Sequence, residues 1–206
     1  MSTPPDPALA AKTADIYHRN AARFDRERHK IFIERDWVAR FTAQIPPGGP
    51  ILDLGCGAGE PIAQALIAQG FAVTGLDIAP AMLVIARQRF PAALWIEGDM
   101  RSLSLDRRFD GIVGWDSFFH LTGDEQRACL PRLARHLTPG GMLMLTVGPE
   151  AGEVTGQVGD DPVFHASLAE DEYRSILAAQ GVEVTDFVRE DPDCDFHTVL
   201  LARKTS

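Results

Sequence analysis

The sequence predicts a single α/β domain: a mostly parallel, doubly wound sheet preceded by a helical cap. Three observations carry this. From residue 51 onward, short apolar runs alternate with amphipathic stretches, the pattern of crossover units that lay parallel strands side by side. The apolar runs are continuous rather than alternating, which suits strands buried on both faces. At 206 residues, 45% of them hydrophobic and 24% charged, the chain fits one domain with a sizeable core, residues 1–48 forming the cap and 49–206 the α/β body.

Residues 7–20 and 24–44 carry apolar side chains at three- and four-residue spacing, among them Ile16, Phe24, Ile31, Trp37, Val38 and Phe41, and read as two helices. Pro46-Pro47-Gly48-Gly49-Pro50 stops the second. Strands are expected at 51–54, 72–76, 93–97, 109–115 and 142–147, joined by helices at 61–69, 80–90 and 123–137. Pro61 suits a helix start, and Thr138-Pro139-Gly140-Gly141 ends the third helix. After a helix at 168–180, Gly181 leads into strands at 182–189 and 196–203, joined as an antiparallel hairpin by the acidic turn between them. Residues 148–162 form a long glycine-rich connection, read either as a substrate lid ending at Val163-Phe164-His165 or as a solvated loop or extra hairpin with His165 exposed.

Composition excludes several classes. The longest apolar stretches, such as 141–147, are far shorter than a bilayer span, and the N-terminus lacks a basic-then-apolar signal, so the expectation is a cytoplasmic protein with no membrane partner. Cys56, Cys129 and Cys194 are scattered and form neither a disulfide framework nor a zinc pattern. A net charge of −9 without a basic stripe repels polyanions, so no nucleic-acid partner is expected. Asp191, Asp193, Cys194, Asp195 and His197 hold metal-capable atoms, but neighbours in a strand point to opposite faces, so an acidic turn is favoured and no metal is expected.

The strongest signal is LDLGCGAGE at residues 52–60, three glycines directly after a strand and before a helix, where bare backbone lets a ligand approach closely. Asp77 then ends the second strand, where a carboxylate can accept from both hydroxyls of a ribose. The spacing is Gly55-x-Gly57-x-Gly59, unlike the GxGxxG of a dinucleotide site.

Together with Gly98-Asp99-Met100, residues 115–121, Leu137-Thr-Pro-Gly-Gly141 and the terminal hairpin, these motifs follow the order of the class I S-adenosylmethionine-dependent methyltransferases, which the chain resembles over nearly its whole length. The resemblance implies a three-layer sandwich around a seven-stranded sheet with its last strand antiparallel. It implies S-adenosyl-L-methionine across the carboxyl ends of the first strands, leaving as S-adenosyl-L-homocysteine, and a small-molecule acceptor served by a monomer or homodimer. Carried over by position, Asp53, Gly55, Gly57 and Gly59 line the methionine end of the donor. Asp77 holds the ribose, Ile78 lies against the adenine, Asp99 reads its amino group, Met100 offers an amide, and Trp115 sits beside the methionine portion. Cys56 is a common occupant of this cofactor loop and reads as a small packed side chain.

A sulfonium already activates its methyl, so the protein mainly aligns a nucleophile with the carbon–sulfur bond. A base still helps hydroxyl, thiol or carbon acids, and the strand ends nominate Asp116, His120 and His165 as catalytic candidates, His120 foremost. His120 reads equally as a structural histidine bonded to backbone beneath the donor. The Asn- or Asp-Pro-Pro-Tyr of nucleic-acid and glutamine methylating members is replaced here by Trp115-Asp116-Ser117-Phe118. Asp193, Cys194 and His197 are expected to border the pocket, and Tyr17 or Arg28 could reach the methionine carboxylate or the substrate, although packing carries more weight for both. A nicotinamide-dependent oxidoreductase and a non-catalytic donor-binding regulatory domain are the competing readings. The acceptor atom stays open.

Overall fold

The computed structural model describes residues 6–27 and 32–205. Seven strands form one sheet: β1 (Pro50–Leu54), β2 (Ala72–Asp77), β3 (Leu94–Glu97), β4 (Phe109–Gly114), β5 (Leu137–Val147), β8 (Val182–Asp191) and β9 (His197–Lys204). Their order across the sheet is β3-β2-β1-β4-β5-β9-β8. Strands β1 to β5 are mutually parallel, while β9 runs antiparallel to both β5 and β8, so the last strand alone is reversed. The order reverses between β1 and β4, and that switch point opens the crevice in which open α/β sheets bind ligands.

Period-two alternation divides the core between the two faces. On one face Leu52, Ile112, Leu143, Leu145 and Leu200 pack beneath α5 (Gly123–His136) and α6 (Glu170–Ala178). On the other, Ile51, Val113, Met144, Val199 and Leu201 meet α2 (Arg35–Thr42), α3 (Ile62–Ala68) and α4 (Pro80–Arg89). No helix among the described residues is long and apolar enough to cross a membrane.

Three local expectations need correction. The cap begins as a 3-10 turn at Pro7–Lys12, where the Asp6 carboxylate accepts from the Ala8 amide at 2.9 Å, and runs directly into α1 (Thr13–Glu27), so Phe24 belongs to this first helix. The second helix is only Arg35–Thr42, and Arg28 and Ile31 lie outside the described residues. Thr138-Pro139-Gly140-Gly141 ends α5 but also opens β5: Gly140 takes φ +80, and Thr138 Oγ1 donates to Asp110 at 2.7 Å, holding the segment beside β4.

The connection after β5 is an ordered hairpin rather than a solvated loop. Strands β6 (Gly152–Val158) and β7 (Asp161–Ser167) pair antiparallel, with Val154 opposite His165. Ile16 of α1 packs with Val158 and Val163, and Ala10 with Phe164 and Ala166. At the hairpin tip Asp161 accepts from Arg19 and Asn20, each at 2.8 Å, and Asp160 accepts from Arg23 at 2.9 Å. Buried Tyr173 of α6 donates to Gln126 at 2.5 Å, and Gln126 donates to the Ala166 carbonyl at 2.8 Å, fixing the hairpin's other end to α5.

Candidate functional site

The chain leaving β1 is pinned to the end of β2. The Gly55 and Cys56 amides both donate to the Leu76 carbonyl, at 2.7 and 3.2 Å, which turns the loop over the sheet edge. The turn needs left-handed backbone at Gly55, φ +67, and Gly57, φ +51, where a side chain is disfavoured. The two glycines differ in surroundings. A Cβ on Gly55 would stand 2.3 Å from Ser117 Cβ, whereas one on Gly57 would meet nothing within 4 Å. Gly55 therefore lets two loops touch, and Gly57 leaves a cradle open.

Asp77 closes that cradle. Its Oδ2 accepts from the Gly57 amide and its Oδ1 from the Ala79 amide, both at 2.8 Å. Burial raises its pKa above the usual carboxylate value, against the amides of Ala79, Gly57 and Ile78, which favour the anion. Each carboxylate oxygen retains acceptor capacity toward a ligand, since an ionised carboxylate has about four lone-pair sites.

The resulting cavity is walled by Gly55, Gly57, Asp77, Ile78, Asp99, Met100 and Trp115 and roofed by Ala10, Thr13, Tyr17 and Phe24 of the cap. Asp53, Cys56 and Gly59, expected in the same set, lie behind the wall. Asp53 is buried in β1. A Cβ on Gly75 would come within 2.7 Å of Cys56 Sγ, so the thiol faces β2, and burial pushes its pKa well up. Gly59 backs onto Trp95 and Phe90. Asp99 lines the cavity but also holds Arg101, whose Nε stands 2.7 Å from Asp99 Oδ2.

The groups suit an adenosyl sulfonium donor on two structural grounds. The open cradle at Gly57 admits backbone contact beside an acceptor for ribose hydroxyls. Thr13 Oγ1 and Trp115 Nε1 are buried without hydrogen-bond partners among the described residues, although Trp115 is only 3% exposed. Buried polar groups are ordinarily paired, so an unmet N–H in a cavity wall calls for a ligand acceptor.

After β4 the chain turns sharply. Asp116 sits at φ 50, its amide donating to Thr146 Oγ1 at 2.8 Å, and Ser117 Oγ donates to the Leu54 carbonyl at 2.7 Å. A 3-10 turn, Phe118–His120, then buries His120. Its Nδ1 lies 3.1 Å from the Phe164 carbonyl, which can only accept, so Nδ1 carries the proton. Nε2 of the neutral ring then accepts from the Tyr17 hydroxyl at 2.9 Å. Burial, with the nearby His165, pushes the His120 pKa down to about 4. His165 is half-buried rather than exposed, its ring 4.9 Å from that of His120 and 4.6 Å from that of Phe119, and burial lowers its pKa as well, against the charge of Asp116.

His197 is the opposite case. Nδ1 donates to the Cys194 carbonyl at 2.7 Å and Nε2 to Asp116 Oδ1 at 2.9 Å, so both ring nitrogens face acceptors, as an imidazolium requires. Burial works against the charge, but the hydrogen bond and charge of Asp116 outweigh it and push the pKa up to about 9. The Trp115 ring lies 5.3 Å from that of His197 at 31°, adding aromatic contact to the cation.

Asp116 and His197 also wall a second, open cavity bordered by the end of β5, the β6–β7 hairpin and the β8–β9 turn. Asp116 lines both cavities and so stands between them. Of the three turn residues expected to border a pocket, only His197 does so; Cys194 is buried beneath the turn and Asp193 is exposed away from it. Sequence reasoning missed the cap residues Ala10 and Thr13, which carry no signal beyond helical spacing. It also missed Thr146, the lone hydroxyl near the end of an apolar strand, which could have been noticed.

Residues 51–141 match the family model of the methyltransferase domain. The chain is 32% identical over 212 residues to malonyl-[acyl-carrier protein] O-methyltransferase of Serratia marcescens, covering 99% of this chain and 81% of that protein. It is 36% identical over 132 residues to dTDP-3-amino-3,6-dideoxy-alpha-D-glucopyranose N,N-dimethyltransferase of Streptomyces fradiae, covering 63% of this chain and 46% of that protein. The chain spans about half the length of the first curated relatives it matches. Among solved structures, 1,6-didemethyltoxoflavin-N1-methyltransferase of Burkholderia thailandensis shares the fold with a TM-score of 0.72 at 21% identity, covering 100% of this chain and 92% of that one.

Proposed function

Because this chain belongs to the class I S-adenosylmethionine-dependent methyltransferases, we propose that it transfers a methyl group from S-adenosylmethionine to a small-molecule acceptor by in-line displacement. The observation that carries the reading is that Asp116 lines both cavities: a cradle suited to the donor adjoins a separate space for a second reactant. When bound, the donor supplies an electrophilic methyl on a positive sulfur, and the protein's share is alignment. Alignment of two reactants can lower a barrier by roughly 7 to 11 kcal/mol.

In this reading Gly55 and Gly57 receive the methionine end and Asp77 the ribose, with Ile78, Asp99 and Met100 around the adenine. The cap excludes water from above through Tyr17 and Phe24, which line the roof. Trp115 gives its unmet N–H to the donor's polar end. His120, neutral and carrying its proton on Nδ1, holds Tyr17 at the cavity wall and is placed to accept a proton through Nε2 once that hydroxyl moves. Asp116 and His165 face the acceptor side.

Isothermal titration with S-adenosylhomocysteine and with NAD tests the donor half. Binding of the first and not the second is expected, and the reverse result sinks the proposal. Incubation with methyl-labelled S-adenosylmethionine and the small-molecule fraction of a cell extract tests turnover, read as a labelled methyl gained by a metabolite. Donor binding without any labelled product would leave a regulatory domain.

A further inference from the structure

The second cavity has a one-sided charge. Asp116, Glu150, Glu153, Glu190 and Asp195 line it, and no lysine or arginine does among the described residues. The His197 imidazolium offsets Asp116 alone, which leaves the carboxylates of Glu150, Glu153, Glu190 and Asp195 in excess. His197 is committed to Asp116, and His165 is half-buried against Phe119. The arginine nearest in sequence, Arg189, does not line the cavity: it is paired with Glu170 at 2.7 Å and donates to the carbonyl of Pro149, a lining residue, at 3.0 Å. Glu150, Glu153 and Glu190 are exposed to the cavity mouth, so their field falls on whatever enters.

The rim carries a second, independent feature. Phe196 is 67% exposed and Val154 60% exposed, and both line the same cavity. Phe196 and Asp195 both hold left-handed backbone, at φ 56 and φ 48, an arrangement costly for bulky residues that keeps an aromatic ring at the mouth instead of in the core. An aromatic face beside carboxylates attracts a cation and repels a carboxylate or phosphate.

We propose that this cavity receives the methyl acceptor and that the acceptor is an amine borne on a small molecule with an apolar part, Glu150, Glu153 and Glu190 drawing in the ammonium and Asp116 receiving an N–H at the boundary with the donor cavity. The inference rests on the methyl-transfer reading above. The ammonium first gives a proton to the His165 imidazole, which burial keeps neutral, and the proton passes on to solvent. The nitrogen lone pair then forms the bond to the methyl carbon, and the carbon–sulfur pair returns to sulfur. The sulfonium becomes a neutral thioether, the product is a methylated ammonium, and one proton is released per methyl moved.

The test uses full-length protein saturated with S-adenosylhomocysteine and titrated with 3-phenylpropylamine, 3-phenylpropanol and 3-phenylpropanoate, with affinities read by ligand-observed NMR. The amine is expected to bind about tenfold tighter than the alcohol, and the carboxylate weaker still, since a few exposed attractions sum to about that factor. In the combined variant Glu150→Gln, Glu153→Gln, Glu190→Gln, all at exposed positions, the preference is expected to shrink to about threefold or less. An amine bound no better than the alcohol, a carboxylate bound tighter, or a preference that survives the triple substitution overturns the inference. Calorimetric binding of S-adenosylhomocysteine to the same samples separates the two levels. Product bound without amine preference removes only this inference, while no binding of the product removes the donor reading and this with it.

Discussion

Asp116 and His197 stand 81 residues apart in sequence, yet Oδ1 of one, which lines both cavities, lies 2.9 Å from Nε2 of the other. Asp116 reaches this position only by adopting φ 50, and the Thr146 hydroxyl and the His197 ring hold it there from backbone and side-chain ends. The pair thus fixes a carboxylate between the two cavities.

His197→Gln keeps a donor near Asp116 but removes the cation. We expect kcat to fall by about tenfold, in line with the 1.5 to 3 kcal/mol or less that a charged hydrogen bond contributes, while S-adenosylhomocysteine still binds. In the unsubstituted protein turnover should decline as pH rises through about 9, where the imidazolium is lost, and the variant should lack that decline. An unchanged alkaline limb would show that the pair does not govern the rate.

Stability should respond to pH through the same residue and through His120, with opposite signs. His197 has a folded pKa of about 9, above its ordinary 6.5, so its contribution is complete below pH 6.5 and is lost as pH rises toward 9. His120 has a folded pKa of about 4, below 6.5, so the protein is unaffected by it above 6.5 and is destabilised as pH falls toward 4. Shifts of this size correspond to at most about 3 kcal/mol each. Thermal unfolding followed from pH 5 to 9 should show a maximum near 6.5, with the alkaline side flattened in His197→Gln.

Two glycine substitutions should separate folding from binding. Gly55→Ala adds a Cβ 2.3 Å from Ser117 Cβ at φ +67, and should destabilise the fold by more than about 2 kcal/mol, read by chemical denaturation. Gly57→Ala meets no protein atom within 4 Å, so its loss of stability should stay near 1 kcal/mol while affinity for S-adenosylhomocysteine drops at least as much as tenfold. Equal behaviour of the two variants would contradict the assignment of an open cradle to Gly57.

Asp77→Ala removes the acceptor for the Gly57 and Ala79 amides and for the ribose. Affinity for S-adenosylhomocysteine should weaken by roughly 10- to 100-fold, measured by calorimetry. Unchanged affinity would remove Asp77 from the site.

His120→Ala should keep product binding and lose about a hundredfold or more in kcat if the imidazole moves a proton. Retained turnover would leave His120 as the bridge that ties Tyr17 of the cap to Phe164 of β7.

The sheet was legible because its signal is local. Buried parallel strands write continuous apolar runs, and β1, β2 and β4 fall within a residue of their expected bounds. The glycine loop and Asp77 were legible for the same reason, since a strand end, a bare turn and a carboxylate one strand over are short-range patterns. What the sequence did not show was long-range partnership. Nothing at position 165 says that the ring will meet His120 edge-on, and nothing at 197 says that it will meet Asp116. Cys56 and Gly59 sit inside the motif yet face Gly75, Phe90 and Trp95 rather than the cavity, which the motif itself does not reveal. The hairpin was read only as one alternative to a lid or a solvated loop, because β6 is mostly exposed and exposed β-structure leaves little apolar pattern to read.

The grip of Arg19, Asn20 and Arg23 on Asp160 and Asp161 joins the roof of one chamber to the wall of the other. Any displacement of that helix would pull on β7, and with it on His165, which faces the neighbouring chamber. The roof of one chamber and the wall of the other are therefore tied together mechanically, and raising ionic strength, which loosens the exposed arginine pairs, should weaken that tie.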